Sequence, residues 1–241
     1  MLDLDLESLM QIQITSAGRK AQNLSDVPAA VYVISQEDIH NYAVTSIPEA
    51  LRMVPGLQVA RISSSKWTIT ARGFNGTFAN KLLVQIDGRS IYASSYSGAY
   101  WDVQNVLLED VDRIEIIRVP GATLWGANAV NGIINIITKQ SSDTLGGLVS
   151  LGSGNHEKLL ATLRYGSQLS SDAYGRFYLT RHEQDSYNFL HDGTDSYDSW
   201  EATSGGFRFD GDLGLKDSWI LQGDYYNNST NQRVDTLTWK F

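Results

Sequence analysis

Residues 111–139 read VDRIEIIRVPGATLWGANAVNGIINIITK. The first part alternates, with Asp112, Arg113, Glu115 and Arg118 set against Val111, Ile114 and Ile116. That period of two is the mark of a strand with one apolar face. Pro120-Gly121 then turns the chain, and the small-residue run Gly126-Ala127-Asn128-Ala129 follows. Asn131-Gly132 leads into a second strand, Ile133-Ile134-Asn135-Ile136-Ile137-Thr138. Glycines at such turns supply positive φ and let backbones approach closely. Two strands joined this compactly suit an element packed inside another structure.

Upstream, Val31-Tyr32-Val33-Ile34 makes a short strand, and Ser35 with Asp38 three residues later reads as a capping-box helix start. A second helix is expected over IPEALRMV, with Ser46 before it, Pro48 in its first turn and Gly56 just past its end. Strands are expected at 57–61, 67–72 and 81–87, running in alternating directions, with 111–118 and 133–138 completing one sheet. Alternation puts loops 62–66 and 90–101 at one end and turn 74–80 at the other; Asp87-Gly88 reads as a turn. Residues 1–10 fit helix and extended readings equally, and 11–20 read as flexible or extended.

From residue 146 the texture changes. Leu159, Ala161, Leu163 and Tyr165 face away from Thr162 and Arg164; Phe177 and Leu179 from Arg176, Tyr178 and Thr180. Phe207, Phe209 and Leu213 oppose Arg208, Asp210 and Asp212; Trp219, Leu221, Gly223 and Tyr225 oppose Gln222 and Asp224. A last piece sets Leu237, Trp239 and Phe241 against Thr236, Thr238 and Lys240. With 147–151 as the first, about six strands emerge at the ~10-residue spacing of a transmembrane barrel. A water-soluble antiparallel sheet with one wetted face alternates in the same way.

Composition narrows the function classes. The 241 residues carry a net charge of -8 with no basic block, which argues against general nucleic-acid binding. Cysteine is absent, removing disulfides, Cys-zinc sites and thiol catalysis together. The 12 Tyr and 6 Trp, with 21 Gly, suit β-structure with turns and aromatic membrane interfaces. There is no apolar run of the ~18 residues that a spanning helix needs. The start, MLDLDLESLMQIQIT, has neither the basic nor the apolar region of a signal peptide. The histidines, His40, His156, His182 and His191, are scattered without metal-ligand spacing. Asp185, Asp192, Asp195 and Asp198 read as a wetted acidic loop, not as a calcium loop. Neither a phosphate loop nor a nucleophile elbow stands out.

The segments VYVISQEDI, SIPEALRMVPGLQV, TARGF and LLVQIDGR, followed by the 111–139 block, come in an order that resembles the TonB-dependent outer-membrane receptors. The likeness runs over about residues 11–241. It implies an α+β plug, a small mixed sheet with short helices, followed by antiparallel transmembrane β-barrel strands that form an incomplete barrel. The implied divisions are an N-terminal periplasmic segment at 1–20, the plug at 21–140 and the first barrel strands at 141–241. A plugged barrel has about 22 strands and needs roughly 200–240 residues. The 101 residues at 141–241 are far fewer, so a truncated gene is expected. The family has Arg-Gly-Pro where this chain has Arg118-Val119-Pro120, so a local backbone adjustment is expected there.

The resemblance also implies roles. Gln11, Ile12, Gln13, Ile14, Thr15, Ser16 and Ala17 resemble the TonB box, an extended peptide that adds a strand to its partner. An ordinary first strand or a tail is the plainer reading. Loops 62–66 and 92–101 offer hydroxyls, one ammonium and several aromatics, which suit a polar chelate or a flat macrocycle. The implied ligand contacts are Ser63, Ser64, Lys66, Tyr92, Ser94, Tyr96 and Tyr100, against a reading as packing residues in which Trp101 belongs. Arg72, Arg113, Glu115 and Arg118 are implied to lock the plug to the barrel, against a reading as ordinary strand charges. The implied function is energy-coupled uptake of a scarce ligand, such as a ferric siderophore, at the cell outer membrane. TonB with its inner-membrane energising complex, outer-membrane lipid and a small-molecule ligand such as a metal chelate are the implied partners. No nucleic acid, cofactor, resident metal or enzyme activity is expected. A soluble β-rich binding module and a plug-derived signalling or interaction domain are the alternatives.

Overall fold

The structure is a computed structural model. It describes residues 30–73, 76, 79–93, 98–104, 106–118, 125–126, 128–189, 192–214 and 217–232, and the backbone alone of 13–14 and 22–23. Two units form. The first comprises Met1–Ala60, Trp67–Trp101 and Val106–Thr138, and the second Arg61–Lys66, Asp102–Asn105 and Lys139–Phe241.

In the first unit β1 (Gln13–Ile14) pairs antiparallel with β2 (Gln22–Asn23). β3 (Val31–Ser35) runs into α1 (Gln36–Asn41) through the expected capping box. The Asp38 carboxylate accepts the Ser35 N–H at 2.9 Å, and Ser35 Oγ accepts the Asp38 N–H at 3.1 Å. Two donors at the helix start are thereby satisfied reciprocally. α2 (Ile47–Leu51) carries Pro48 in its first turn but stops before the expected end. Pro55 disfavours helical backbone at Val54. The chain then turns at Gly56, whose φ is +83°.

The main sheet has the order β3, β10 (Val111–Ile117), β11 (Gly132–Thr138), β6 (Leu82–Ile86), β7 (Arg89–Ser90). β10 is antiparallel to both β3 and β11, whereas β11 is parallel to β6, so the sheet is mixed. One face presents Ile34, Ile114, Ile116, Ile134, Ile136 and Val84 to Ile39, Ile47, Ala50 and Leu51 of the helices. Each fully buried isoleucine is worth roughly 1.5–3 kcal/mol. The other face holds Leu83, Ile117, Ala129 and Ile133 in a second cluster. On that same face Glu115, Asn135 and Gln85 lie side by side on adjacent strands, all buried. Asp87 closes the sheet end: its carboxylate accepts the Thr138 N–H and hydroxyl, both at 2.8 Å, from the Asp-Gly turn.

The strands themselves match the sequence reading, but their neighbours do not. β4 (Leu57–Arg61) and β5 (Trp67–Ala71) form a separate two-stranded sheet, and β3 takes the edge place beside β10. Alternation specifies which face of a strand is buried, not which strand lies beside it. Trp67, Ile69 and Ala71 are buried in the main hydrophobic core without joining the main sheet. A last ribbon pairs β8 (Tyr92–Ala93) with β9 (Gly98–Ala99).

The second unit is an antiparallel meander of β12 (Gly146–Gly152), β13 (Glu157–Ser170), β14 (Ala173–Gln184), β15 (Trp200–Leu213) and β16 (Asp217–Thr230). The expected sixth strand, at 236–241, lies outside the described residues. Register aligns Val149, Leu163, Leu179, Gly205 and Tyr225 in one row, and Tyr165, Phe177, Phe207 and Gly223 in the next. Burial on this sheet is inverted. Val149, Phe177 and Leu163 are 72%, 55% and 54% exposed, whereas Arg176, Arg208 and Ser204 are 5%, 6% and 3% exposed. Strands of 12 and 14 residues exceed the roughly 9–11 that a hydrocarbon core requires. Among the described residues no helix is long and apolar enough to cross a membrane.

The segment entering the meander is pinned to its polar face. Ser141 donates to Asp210 from its backbone N–H at 2.9 Å and from its hydroxyl at 2.5 Å, and Arg176 donates to the Lys139 carbonyl at 2.7 Å. A Cβ at Gly166 would stand 2.1 Å from the Thr144 carbonyl oxygen, so glycine there admits the short turn Ser141–Thr144.

Candidate functional site

The connections of the meander differ in length. β14 and β15 are joined through residues 185–199, whereas β13–β14 and β15–β16 are joined through only residues 171–172 and 214–216. In outer-membrane barrels the short turns face the periplasm and the long loops the exterior. The long loop is built from its aspartates. Asp185 pairs with Lys158 at 2.9 Å, Asp192 accepts the Thr194 N–H at 3.0 Å, and Asp195 accepts the Tyr197 N–H at 2.7 Å. Asp198 is not wetted as expected; it is 7% exposed and accepts the Tyr187 N–H at 3.0 Å. Among the described residues no His, Asp or Glu grouping could hold a metal ion.

Residues 61–66, the tip between β4 and β5, belong to the same unit as that loop. Lys66 O accepts from Ile62 N at 2.7 Å, and Ser63 Oγ accepts from Lys66 N at 3.2 Å, which closes the tip. Ser64 is 1% exposed. Its N–H donates to Asp198 Oδ2 at 2.7 Å, its hydroxyl donates to the Asp198 carbonyl, and its own carbonyl accepts Trp200 Nε1 at 3.1 Å. Beside it, Arg61 donates to the Tyr187 hydroxyl and lies over that ring, 5.3 Å from its centroid, while His156 stacks on Tyr187 at 4.4 Å. Lys66 donates to Gln232 Oε1 at 3.0 Å. Burial pushes the Asp102 carboxyl up; its own backbone N–H, the Lys66 charge and the Val103 N–H pull the other way. Lys66 and Asp102, both in the second unit, thus lie within electrostatic reach of each other.

Of the predicted ligand contacts, Ser63, Ser64 and Lys66 share this tip, with Ser64 turned inward. Tyr92 and Tyr100 are half-buried and belong to the first unit; Ser94 and Tyr96 lie outside the described residues. Trp101 is buried. Asp198, Tyr187 and Trp200 were not anticipated, because their partners lie more than a hundred residues away in sequence. Local spacing carries no signal of such pairs.

The four charges expected to lock plug to barrel find these partners within the first unit. Arg72 donates to the Arg118 carbonyl, Arg118 to the Pro55 carbonyl, and Arg113 forms ion pairs with Asp112 at 2.5 Å and Glu115 at 2.9 Å. Of the TonB-box-like stretch, Gln13 and Ile14 form β1; Gln11, Ile12, Thr15, Ser16 and Ala17 lie outside the described residues, as does Val119.

Residues 23–133 match the family model described as the TonB-dependent Receptor Plug Domain. The chain carries a TonB-dependent receptor plug. The chain is 31% identical over 144 residues, 59% of its length, to the vitamin B12 transporter BtuB of Vibrio vulnificus. It is 28% identical over 231 residues, 88% of its length, to that of Photobacterium profundum. These matches cover 23% and 38% of those proteins, so the chain spans well under half the length of the relatives it matches. Among solved structures it resembles the pyoverdine outer-membrane receptor FpvA of Pseudomonas aeruginosa, with TM-score 0.72 and 20% identity over 93% of this chain and 31% of that one. The ferric yersiniabactin uptake receptor FyuA of Yersinia pestis gives TM-score 0.66 and 20% identity over 90% of this chain and 33% of that one. The fold is therefore a mixed-sheet plug followed by antiparallel strands of the kind that build these receptors' barrels, not closed within this chain. The relatives form a transport family.

Proposed function

We propose that this chain is the plug and opening barrel strands of an outer-membrane receptor for TonB-driven uptake of a scarce small ligand. The observation that carries the reading is the inverted meander, apolar outside and polar inside, following directly on a plug. Burying arginines while exposing phenylalanines is unfavourable in water and favourable in a bilayer around a polar lumen. The proposed divisions are a periplasmic segment at 1–20, the plug at 21–140 and barrel strands at 141–241. Residues 11–17 engage TonB by strand addition, with its inner-membrane complex supplying the force. Ligand contact falls to Ser63, Lys66, Tyr92, Ser94, Tyr96 and Tyr100 at the exterior end, while Arg72, Arg113, Glu115 and Arg118 order the plug against the lumen. The ligand is a metal chelate; because the relatives above are named as vitamin B12 transporters, cyanocobalamin is the first probe, with ferric siderophores beside it. No covalent step is involved.

The test uses cells that express the full-length receptor, with Ile14→Pro removing one backbone donor from the box. Labelled cyanocobalamin or ferric siderophore should still bind the surface, while uptake should fall at least tenfold. Undiminished uptake by the variant overturns the box assignment. Failure of both probes to bind removes this ligand class.

A further inference from the structure

We infer that the β4–β5 tip and the β14–β15 loop form one two-way switch, joined through Asp198. Three observations carry it. The buried Asp198 carboxylate collects donors from both segments: Ser64 N–H at 2.7 Å from the tip, and Tyr187 N–H at 3.0 Å with the Ser196 hydroxyl from its own loop. The Ser64 hydroxyl and carbonyl are also engaged, by the Asp198 carbonyl and by Trp200 Nε1. Each polar group of residue 64 is thus engaged, and the residue is buried from any ligand while this arrangement holds. Finally, Trp200 Nε1 is shared with Gln184 Oε1 at 3.0 Å, so the same donor ties the tip to the last residue of β14.

A buried carboxylate that loses one of its donors is left partly unsatisfied, which is expensive away from water. Moving the tip therefore weakens the order of the loop, and moving the loop frees the tip. The coupling is reciprocal by thermodynamic necessity. Anything that presses on residues 185–189 or 192–199 from outside is felt at residues 62–66, and release of the tip loosens the loop. This coupling goes beyond the uptake reading and does not depend on the ligand.

Amide hydrogen exchange on the whole chain in detergent micelles tests it. Asp198→Ala should speed exchange at 62–66, a segment it does not adjoin in sequence, by about tenfold or more. Ser64→Pro, which removes the donor N–H, should do the same at 186–189 and 192–197. Asp198→Asn retains one carbonyl oxygen as acceptor and should fall between wild type and alanine. Amides of β10, β11 and β13 should be unchanged, which shows that the fold is intact. If either variant loosens only the segment that carries it, the two segments pack independently and the switch is wrong. Should alanine prevent folding, the asparagine variant decides by the same cross-effect.

Discussion

Gly132 stands against Ile117 so closely that a Cβ on the glycine would lie 2.4 Å from the Ile117 carbonyl oxygen. Its φ is +154°, at the edge of the region that side chains avoid. The pair Ile117–Ile133 closes the β10–β11 ladder immediately beside it. Gly132→Ala should therefore destabilise the chain by about 1–3 kcal/mol through backbone strain, with the clash adding to it. Denaturant unfolding in detergent measures this. A loss within 0.5 kcal/mol, the range of an ordinary surface change, would show that the junction relaxes freely.

Leu179 lies in the exposed apolar row between Leu163 and Gly205. If that face meets hydrocarbon, Leu179→Arg should cost about 2–4 kcal/mol on folding into phospholipid vesicles. Thr180→Arg, one residue on and facing the polar side, should cost much less. Equal costs at the two positions would mean that the apolar face does not contact lipid.

Buried Arg208 pairs at 2.8 Å with the partly buried Asp210, which also receives two donors from Ser141. Arg208→Ala leaves a partly buried carboxylate without its counter-charge but with its two Ser141 donors, for which about 1–3 kcal/mol is expected. Replacing both partners by apolar residues of similar volume should recover most of that loss. Comparison of the single and double variants by thermal unfolding in detergent distinguishes a stranded charge from a lost packing contact.

Asp102 supplies a pH test. Its carboxyl is raised above the ordinary 3.8, first by burial. Between that value and the raised one, the folded chain keeps a proton that the unfolded chain has released. Stability from this group therefore falls as pH rises through the window and is flat below it. Asp102→Asn should remove the fall, so that the variant gains on wild type at pH 7 and the gap closes near pH 3. A constant gap across that range would assign the effect to something other than ionisation.

Much of this architecture was legible in local sequence. The Ser35–Asp38 capping box, the Asp87-Gly88 turn and the strands at 57–61 and 111–117 follow from residue type and period. The two faces of the meander were legible too, because Phe177, Phe207 and Tyr165 alternate with Arg176, Arg208 and Arg164, but alternation alone does not say which face is exposed; that expectation came from the resemblance. Strand neighbours were not legible. β3 beside β10, and β6 parallel to β11, depend on packing among segments far apart in the chain. The tip residues 62–66 were singled out for their hydroxyls, yet the partner that consumes Ser64 is Asp198 in a stretch that reads as solvent-facing. Nothing in the spacing of either segment signals the other.

The strand order has a kinetic corollary. β3 emerges early, but among the described residues its neighbour in the main sheet is β10, and β6 has only the two-residue β7 beside it until β11 arrives. Closing such long loops is slow because chain entropy must be lost before any pairing repays it. The isoleucine-rich edges of this sheet therefore remain open to aggregation or to a holdase until residue 138 is available.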